Sequence, residues 1–265
     1  MEAWLVRQFS PDRRADPTPK SSHSGSIHAR TADPSDGSKP SGNVVAAPLE
    51  LSQWLQTFGT PIVYRRGGET VFSEGTDSAF IYLIEDGLIR ISRLTESGRR
   101  QILSFRWRGN LAGLAEEGRY VNSAETVSAT KLLRISWPQL QERMLAEPKM
   151  QSLLFGSLTS QIREAQKRIL ILGQQSIPQR LASFLLDFLK VPGLYDVKEA
   201  KLKLPLSRFD LADYLGTSPE STARAFARLE SENLIMREGT RTVVIRDHTG
   251  LQALQNERRR SQSPR

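Results

Sequence analysis

The sequence predicts an α+β fold: an N-terminal β-roll or jelly-roll domain, then a long helix, then a C-terminal domain in which helices are joined to a β-wing. Three observations predict it. Short runs of Val, Ile, Phe and Tyr alternate with glycine turns from 61 to 137. Apolar residues then recur at helical spacing over 154–172. Two short helix patterns follow, joined by a turn at Gly216.

The first 48 residues differ in composition from the rest of the chain. They are rich in Ser, Pro, Asp and Gly and have few large apolar side chains. Such a segment cannot bury enough apolar surface to offset the entropy of ordering, so 1–48 is predicted to be a disordered extension. Residues 49–58 carry spaced apolar side chains and are predicted to form a short helix; these are Leu51, Trp54, Leu55 and Phe58.

The predicted β-roll, a sensor-like domain, spans 49–147. Its strands are short, and Gly-containing turns separate them at regular spacing, which is typical of sandwiches and jelly rolls. The predicted strand segments are 71–72, 80–84, 88–91, 101–105, 125–127 and 131–135.

A single long helix is predicted over 148–173. Six apolar residues recur along it at spacings of three and four: Leu154, Leu158, Ile162, Ala165, Ile169 and Leu172. Charged residues separate them, so the apolar side is a narrow seam. We interpret the seam as a dimer interface. The alternative is that it packs only on its own roll.

The C-terminal domain is predicted to span 174–250 and to contain a winged helix-turn-helix. After a helix over 178–190, Ser207 and Asp210 form a capping box, Gly216 suits the left-handed end of that helix, and Ser218 with Pro219 begins the next. Phe209, Leu211, Ala212 and Leu215 are predicted to form the apolar side of the first helix, and Phe226 and Leu229 that of the second. Residues 234–236 and 242–245, with Gly239 between them, form the predicted wing.

Composition narrows the function classes. The net charge is +8, but residues 201–250 hold eight Lys and Arg against seven Asp and Glu. Any attraction to nucleic acid therefore depends on local placement and on a predicted basic tail, 251–265, with its arginine run 258–260. The chain has no cysteine and no apolar run long enough to span a membrane, so we expect a cytoplasmic protein without a membrane partner.

Enzyme and metal chemistry lack the residues they need. The only histidines are His23, His28 and His248, all outside the predicted roll, so it holds no histidine base and no cluster of metal ligands. We expect no enzyme activity and no cofactor.

Roll, long helix and winged helix-turn-helix together resemble the Crp/Fnr family of bacterial transcription factors over about 60–247, and the FixK branch most closely. The resemblance rests on Gly109-Asn-Leu-Ala-Gly-Leu-Ala, Asn122-Ser-Ala-Glu-Thr-Val, Gln179-Arg-Leu-Ala-Ser-Phe-Leu-Leu, Asp210-Leu-Ala-Asp-Tyr-Leu-Gly216 and Glu220-Ser-Thr-Ala-Arg224. It implies a homodimer that binds double-stranded DNA, contacts RNA polymerase and activates genes of low-oxygen or nitrogen-oxide metabolism.

The resemblance also implies a set of DNA-contacting residues. Glu220 and Arg224 match the family residues that read a G·C pair, and they are the types that the major-groove code requires. Ala223 replaces the serine or glycine of the family motif, and Pro219 replaces an arginine that the cyclic-AMP receptor proteins use. We therefore expect a palindromic half-site near TTGA. Thr217, Ser218, Ser221 and Arg228 are expected to contact phosphates.

The predicted roll resembles a cyclic-nucleotide-binding domain but departs from its ligand chemistry. Leu114 follows Gly113 where a ribose-binding Glu is expected, and Asn122 precedes Ser123 where an Arg-Ser pair should hold the phosphate. We expect no cyclic-nucleotide binding and expect Ser123 to be bonded to backbone. Four arginines on adjacent strands form either a solvated face or a site for an acidic metabolite; these are Arg90, Arg93, Arg99 and Arg100. The alternative function is a regulator gated by an unidentified small molecule.

Overall fold

A computed structural model describes residues 46–113, 115–116 and 118–257. The predicted extension lies outside the described residues except for its last three positions. There Ala47 is buried and its N–H donates to the carbonyl of Gly109. The arginine run of the predicted tail, together with His23, His28 and Leu114, also lies outside the described residues.

The N-terminal domain is a β-roll of antiparallel strands. In chain order its strands are β1 (Thr60–Tyr64), β2 (Thr70–Phe72), β3 (Phe80–Asp86), β4 (Leu88–Leu94), β5 (Arg100–Trp107), β6 (Leu111–Ala112), β7 (Ala115–Glu116), β8 (Arg119–Tyr120), β9 (Ser123–Thr126) and β10 (Thr130–Ser136). One sheet has the order β1-β10-β3-β6 and the other β2-β9-β4-β5, while β7 and β8 form a separate hairpin. All six predicted strand segments are confirmed; only Val127 falls just beyond the end of β9.

The first sheet of the roll is covered on both faces because its strands alternate apolar side chains between them. Leu83 and Leu133 face a core shared with α1 (Leu49–Gln56), α2 (Trp137–Ala146) and the start of α3 (Pro148–Gln174). Tyr82 and Leu132 point the other way, into the space between the two sheets. Helix α1 is the predicted short helix, whereas α2 was not among the predicted elements.

Helix α3 is 27 residues long and links the two domains, as predicted. The predicted seam needs one correction at its N-terminal end. Leu154 is buried in the core of the roll, and the next residue, Phe155, is exposed instead. Because Phe155 is exposed, the apolar positions that face outward begin there and continue through Leu158 and Ile162.

The C-terminal domain contains four helices and a four-stranded sheet within the described residues. They are α4 (Ile177–Phe188), β11 (Tyr195–Asp196), β12 (Lys201–Lys203), α5 (Arg208–Leu215), α6 (Pro219–Ser231), β13 (Ile235–Glu238), β14 (Thr242–Ile245) and α7 (His248–Asn256). The predicted wing is β13 with β14, and the unpredicted hairpin β11–β12 extends its sheet in the order β11-β12-β14-β13.

Helix α7 extends the packed domain beyond the predicted boundary at 250. Leu251 and Leu254 are buried in the same core as α4. Asp247 caps the helix by accepting from the N–H of Gly250 at 2.8 Å. Residues 251–256 therefore belong to the folded domain, and the remainder of the predicted tail begins after them.

One hydrophobic core joins the C-terminal domain to the outer face of the second roll sheet. Phe105 on β5 meets Phe184 and Phe188 on α4 and Tyr214 on α5, with ring centroids between 5.1 and 6.5 Å from the Phe105 ring. Aromatic pairs at these separations contribute about 0.5–1.5 kcal/mol each beyond their burial. This cluster places α5 directly against β5.

Candidate nucleic-acid interface

Helix α5 begins at the predicted capping box. The hydroxyl of Ser207 accepts from the N–H of Asp210 at 3.0 Å, and the Asp210 carboxylate accepts from the N–H of Ser207 at 3.3 Å. Leu211, Ala212 and Leu215 are buried as predicted. Phe209 is not: its side chain is 69% exposed, because it lies on the side of the helix opposite the core.

A left-handed glycine ends α5 and turns the chain toward α6. Gly216 has a φ of 66°, a conformation that a side chain disfavours, and a Cβ there would lie 3.2 Å from Leu172 of α3. The guanidinium of Arg180 donates to the carbonyl of Leu215 at 2.9 Å and so ties the turn to α4. The turn therefore lies close to α3 and is hydrogen-bonded to a side chain of α4.

Helix α6 is capped as predicted and presents one exposed face near its N-terminal end. Ser218 accepts from the N–H of Ser221 at 3.2 Å, and Pro219 occupies the first turn. Thr222, Phe226 and Leu229 are buried on the inner side. The outer side carries Glu220, Ala223 and Arg224, all three exposed.

The two charged residues of this face offer a hydrogen-bond acceptor, the Glu220 carboxylate, and hydrogen-bond donors, those of the Arg224 guanidinium. The pKa of Glu220 is held below its ordinary value by three interactions of its carboxylate. These are a hydrogen bond from the Ser218 hydroxyl, a hydrogen bond from the backbone N–H of Glu220 itself, and the nearby positive charge of Arg224. Glu220 is therefore an acceptor at neutral pH. Arg224 donates to the Ser221 hydroxyl at 2.7 Å, which leaves the remaining guanidinium donors facing outward.

The residues expected to contact phosphates lie around this face and differ in position and in bonding. Thr217, Ser218 and Ser221 are partly exposed at the start of α6. Arg228 lies further along the helix and pairs with Glu232 at 2.7 Å. Because that pair is exposed it is weak, so Glu232 would compete only weakly with a phosphate group for the guanidinium of Arg228.

An ionic cluster fixes the first helix of the motif to the roll. The carboxylate of Asp210, which is buried, lies 2.6 Å from Arg100 and 3.2 Å from Arg90. Arg100 also lies 2.9 Å from Asp213, and Arg90 lies 2.9 Å from Glu125. Burial by itself would lower the pKa of Arg100, but the hydrogen bonds that its guanidinium donates to the Asp213 and Asp210 carboxylates, together with their negative charges, raise it overall. This cluster of Arg90, Arg100, Glu125, Asp210 and Asp213, here called the latch, was not predicted.

The latch revises the interpretation of the four roll arginines. Arg90 and Arg100 belong to it, and Arg93 pairs with Glu74 at 2.9 Å. Arg99 forms no ion pair with any described residue and donates to the carbonyl of Thr217 at 3.2 Å. The four side chains therefore do not converge on one anion site.

A second junction connects α3 to the helix-turn-helix. The guanidinium carbon of Arg168 lies 3.7 Å from the centre of the Tyr214 ring, and burial lowers the pKa of Arg168. Arg106 of β5 pairs with Glu164 of α3 at 2.7 Å. Cation–π contacts are worth more where they are desolvated, and breaking a buried ion pair costs more than breaking an exposed one because it leaves an uncompensated charge.

Aromatic side chains fill the interior of the roll. The ring of Phe72 stacks on Tyr120 at 4.3 Å and on Tyr82 at 5.6 Å between centroids. As expected, Ser123 is bonded to backbone: its hydroxyl accepts from the N–H of Glu74 at 3.0 Å. Over the described residues, no group of three or more His, Cys, Asp or Glu side chains is arranged to hold a metal ion.

The roll and the motif behind it define a class: a DNA-binding helix-turn-helix carried by a domain of the cyclic-nucleotide-binding type. The model of the Crp-like helix-turn-helix domain matches 179–254, and that of the cyclic nucleotide-binding domain matches 62–147. The chain belongs to the Crp/Fnr family and resembles its FixK branch. Its relatives are transcription regulators, not enzymes.

Relatives support that placement along most of the chain. The nitrogen fixation regulation protein FixK of Azorhizobium caulinodans is 32% identical over 204 residues, which is 77% of this chain and 82% of that protein. FixK of Rhizobium meliloti is 32% identical over 71% of this chain and 84% of that protein. The solved structure of FixK2 from Bradyrhizobium japonicum superposes with a TM-score of 0.68 at 27% identity, covering 74% of this chain and 97% of that one.

Within the part of the chain that the structure describes, none of the helices has the length and apolar character needed to cross a membrane.

Proposed function

We propose that this protein is a homodimeric transcription regulator that reads a palindromic TTGA-type DNA site with α6. The observation that carries the proposal is the exposed face of Glu220, Ala223 and Arg224 at the N-terminal end of α6. This helix is capped, and its opposite side is buried in the domain. A recognition helix contacts base edges with residues at this end.

Each residue of that face has a distinct role in the proposal. Ionised Glu220 accepts from the N4 amino group of a cytosine, and Arg224 donates to O6 and N7 of the paired guanine. Ala223 offers only a methyl group, which suits contact with a thymine methyl. Thr217, Ser218 and Ser221 lie where the sugar-phosphate backbone would pass, with Arg228 further along the helix.

The outer side of α3 supports the dimer. Phe155, Ile162 and Ile169 are spaced by seven residues and are 72%, 59% and 69% exposed. Leu158 and Ala165 lie between them and Leu172 follows Ile169, which completes a seam at alternating spacings of three and four. This spacing is the knob pattern of a two-stranded coiled coil. Two such helices paired in a symmetric dimer would be related by a two-fold axis, which is the symmetry that a palindromic site requires.

The relatives supply the direction of regulation. They include nitrogen fixation regulation proteins and, in Stutzerimonas stutzeri, the transcriptional activator protein FnrA, 28% identical over 71% of this chain. We therefore propose activation through contact with RNA polymerase, at genes for low-oxygen or nitrogen-oxide metabolism.

Selection of bound duplexes from a random DNA pool tests the proposal. We expect enrichment of two inverted TTGA-type half-sites whose centres lie about one helical turn apart. The same selection with Arg224→Ala should lose its preference at the G·C position alone. Enrichment of a single half-site, or of no sequence, would contradict the proposal.

A further inference from the structure

The hairpin between β4 and β5 reaches from the roll to the turn of the helix-turn-helix. Arg99 lies at the end of this hairpin, immediately before β5, and its side chain is exposed. One of its terminal nitrogens donates to the carbonyl of Thr217 at 3.2 Å. Thr217 directly precedes Ser218, the cap of α6. A cation of the roll therefore lies beside the start of the recognition helix.

Arg99 differs from its arginine neighbours in what it contacts. Arg90, Arg93 and Arg100 each pair with at least one carboxylate. Arg99 has no carboxylate partner among the described residues, and its guanidinium instead donates a hydrogen bond to a neutral carbonyl. An exposed guanidinium with donors to spare has the geometry and the charge to bind a phosphate group.

The latch keeps Arg99 near this turn. Arg100, the next residue, is bound to Asp210 and Asp213 of α5, and the Gln101 side chain donates to the carbonyl of Asp213. Because α5 also carries the turn, Arg99 and Thr217 are held by the same set of contacts.

We propose that Arg99 binds a phosphate of the DNA backbone at the edge of the half-site, so that the roll itself contacts DNA. The inference rests on the proposed function, because it requires the N-terminal end of α6 to enter the major groove. In that pose Thr217 and Ser218 lie at the groove edge, and the phosphates beside them come within reach of Arg99. The occupant is a phosphodiester of duplex DNA, read for charge and not for sequence.

Binding measured against salt concentration tests the proposal. Equilibrium binding is measured by fluorescence anisotropy with the selected palindrome and with a scrambled duplex, for the full chain and for three variants: Arg99→Ala, Arg99→Gln and Arg99→Lys. Each phosphate contact contributes about 0.9 to the slope of log K against log salt. We expect Ala and Gln to lower the slope by about 2 per dimer on both duplexes, with the ratio between duplexes unchanged.

The three variants separate charge from hydrogen bonding. Lys keeps the charge and should retain most of the slope, whereas Gln keeps a donor for the Thr217 carbonyl but loses the charge. Arg93→Ala is the matched control from the same hairpin, because its partner is Glu74, and it should leave the slope unchanged. A wild-type slope for Arg99→Gln or Arg99→Ala would overturn the proposal.

Failure of this contact is distinguishable from failure of base reading. If Arg224→Ala loses discrimination between the duplexes while the Arg99 variants keep the full slope, only the Arg99 contact is wrong. If the unmodified protein does not discriminate between the duplexes, the proposed function is wrong. A lowered slope on scrambled DNA would then still support a phosphate contact at Arg99.

Discussion

The Arg100 guanidinium lies 2.6 Å from the carboxylate of Asp210, and this bond joins the roll to the first helix of the DNA-binding motif. Asp210 also accepts from the N–H of Ser207, so one buried carboxylate both caps α5 and anchors it. The orientation of the motif on the roll therefore depends on charge as well as on the aromatic core beneath it.

Removing that carboxylate should destabilise the protein markedly. We expect Asp210→Ala to lower the free energy of unfolding by about 2–3 kcal/mol, because it leaves two partly buried guanidinium groups short of a partner and removes a cap. Urea denaturation measures the loss. Glu50→Ala is the control: it breaks the exposed pair with Lys149 and should cost less than about 1 kcal/mol. Equal losses would show that the latch adds no stability.

Arg224 should determine sequence preference and not general affinity. We expect Arg224→Ala to weaken binding to the selected site by about 1–3 kcal/mol per affected contact while retaining the weak, salt-dependent binding to other DNA. Anisotropy with matched and base-substituted duplexes measures both. Arg228→Ala, one turn further along α6, should weaken binding to all duplexes to a similar extent. Unchanged discrimination after Arg224→Ala would remove the base-reading assignment.

The seam on α3 should control the oligomeric state. We expect Ile162→Glu to produce a monomer, because a carboxylate would be desolvated between two apolar helices. Sedimentation equilibrium reports the mass directly. Arg163→Glu changes the adjacent exposed residue, which lies off the seam, and should remain dimeric. A dimeric Ile162→Glu variant would show that the subunits associate elsewhere.

The same substitution should have opposite effects at two glycines. Gly216→Ala should lower the free energy of unfolding by about 1–2 kcal/mol, because alanine disfavours the left-handed region, and its Cβ would also meet Leu172. Gly156→Ala lies within α3, where an added Cβ meets nothing, and should raise stability by about 0.5–1 kcal/mol. Thermal and urea unfolding check both signs. A neutral Gly216→Ala would mean that the turn relaxes.

Cyclic AMP and cyclic GMP should leave the melting temperature unchanged. Phe72, Tyr82 and Tyr120 occupy the space between the sheets, and Asn122 stands where a phosphate-binding arginine is expected. A ligand at 100 times its dissociation constant would add about 2.7 kcal/mol to stability. Differential scanning calorimetry with millimolar nucleotide measures the shift. A concentration-dependent rise would indicate a nucleotide site and favour the ligand-gated alternative.

Local signals in the sequence were sufficient to predict the helices and the turn of the DNA-binding motif. Caps and turns depend on residues within a few positions of one another, so Ser207 with Asp210, Gly216, and Ser218 with Pro219 could be placed in advance. The same signals placed Glu220, Ala223 and Arg224 on one exposed face. Strand runs and glycine turns likewise predicted the roll, because each strand carries its own pattern.

Only the tertiary structure decided which faces are covered and which charges meet. Leu154 and Phe155 are adjacent and both apolar, so helical periodicity could not tell that the first enters the roll core and the second begins the seam. Asp210 and Arg100 are 110 residues apart, and no local pattern pairs them. Sequence determines propensity over a few residues, whereas burial and ion pairing depend on elements that folding brings together from distant positions.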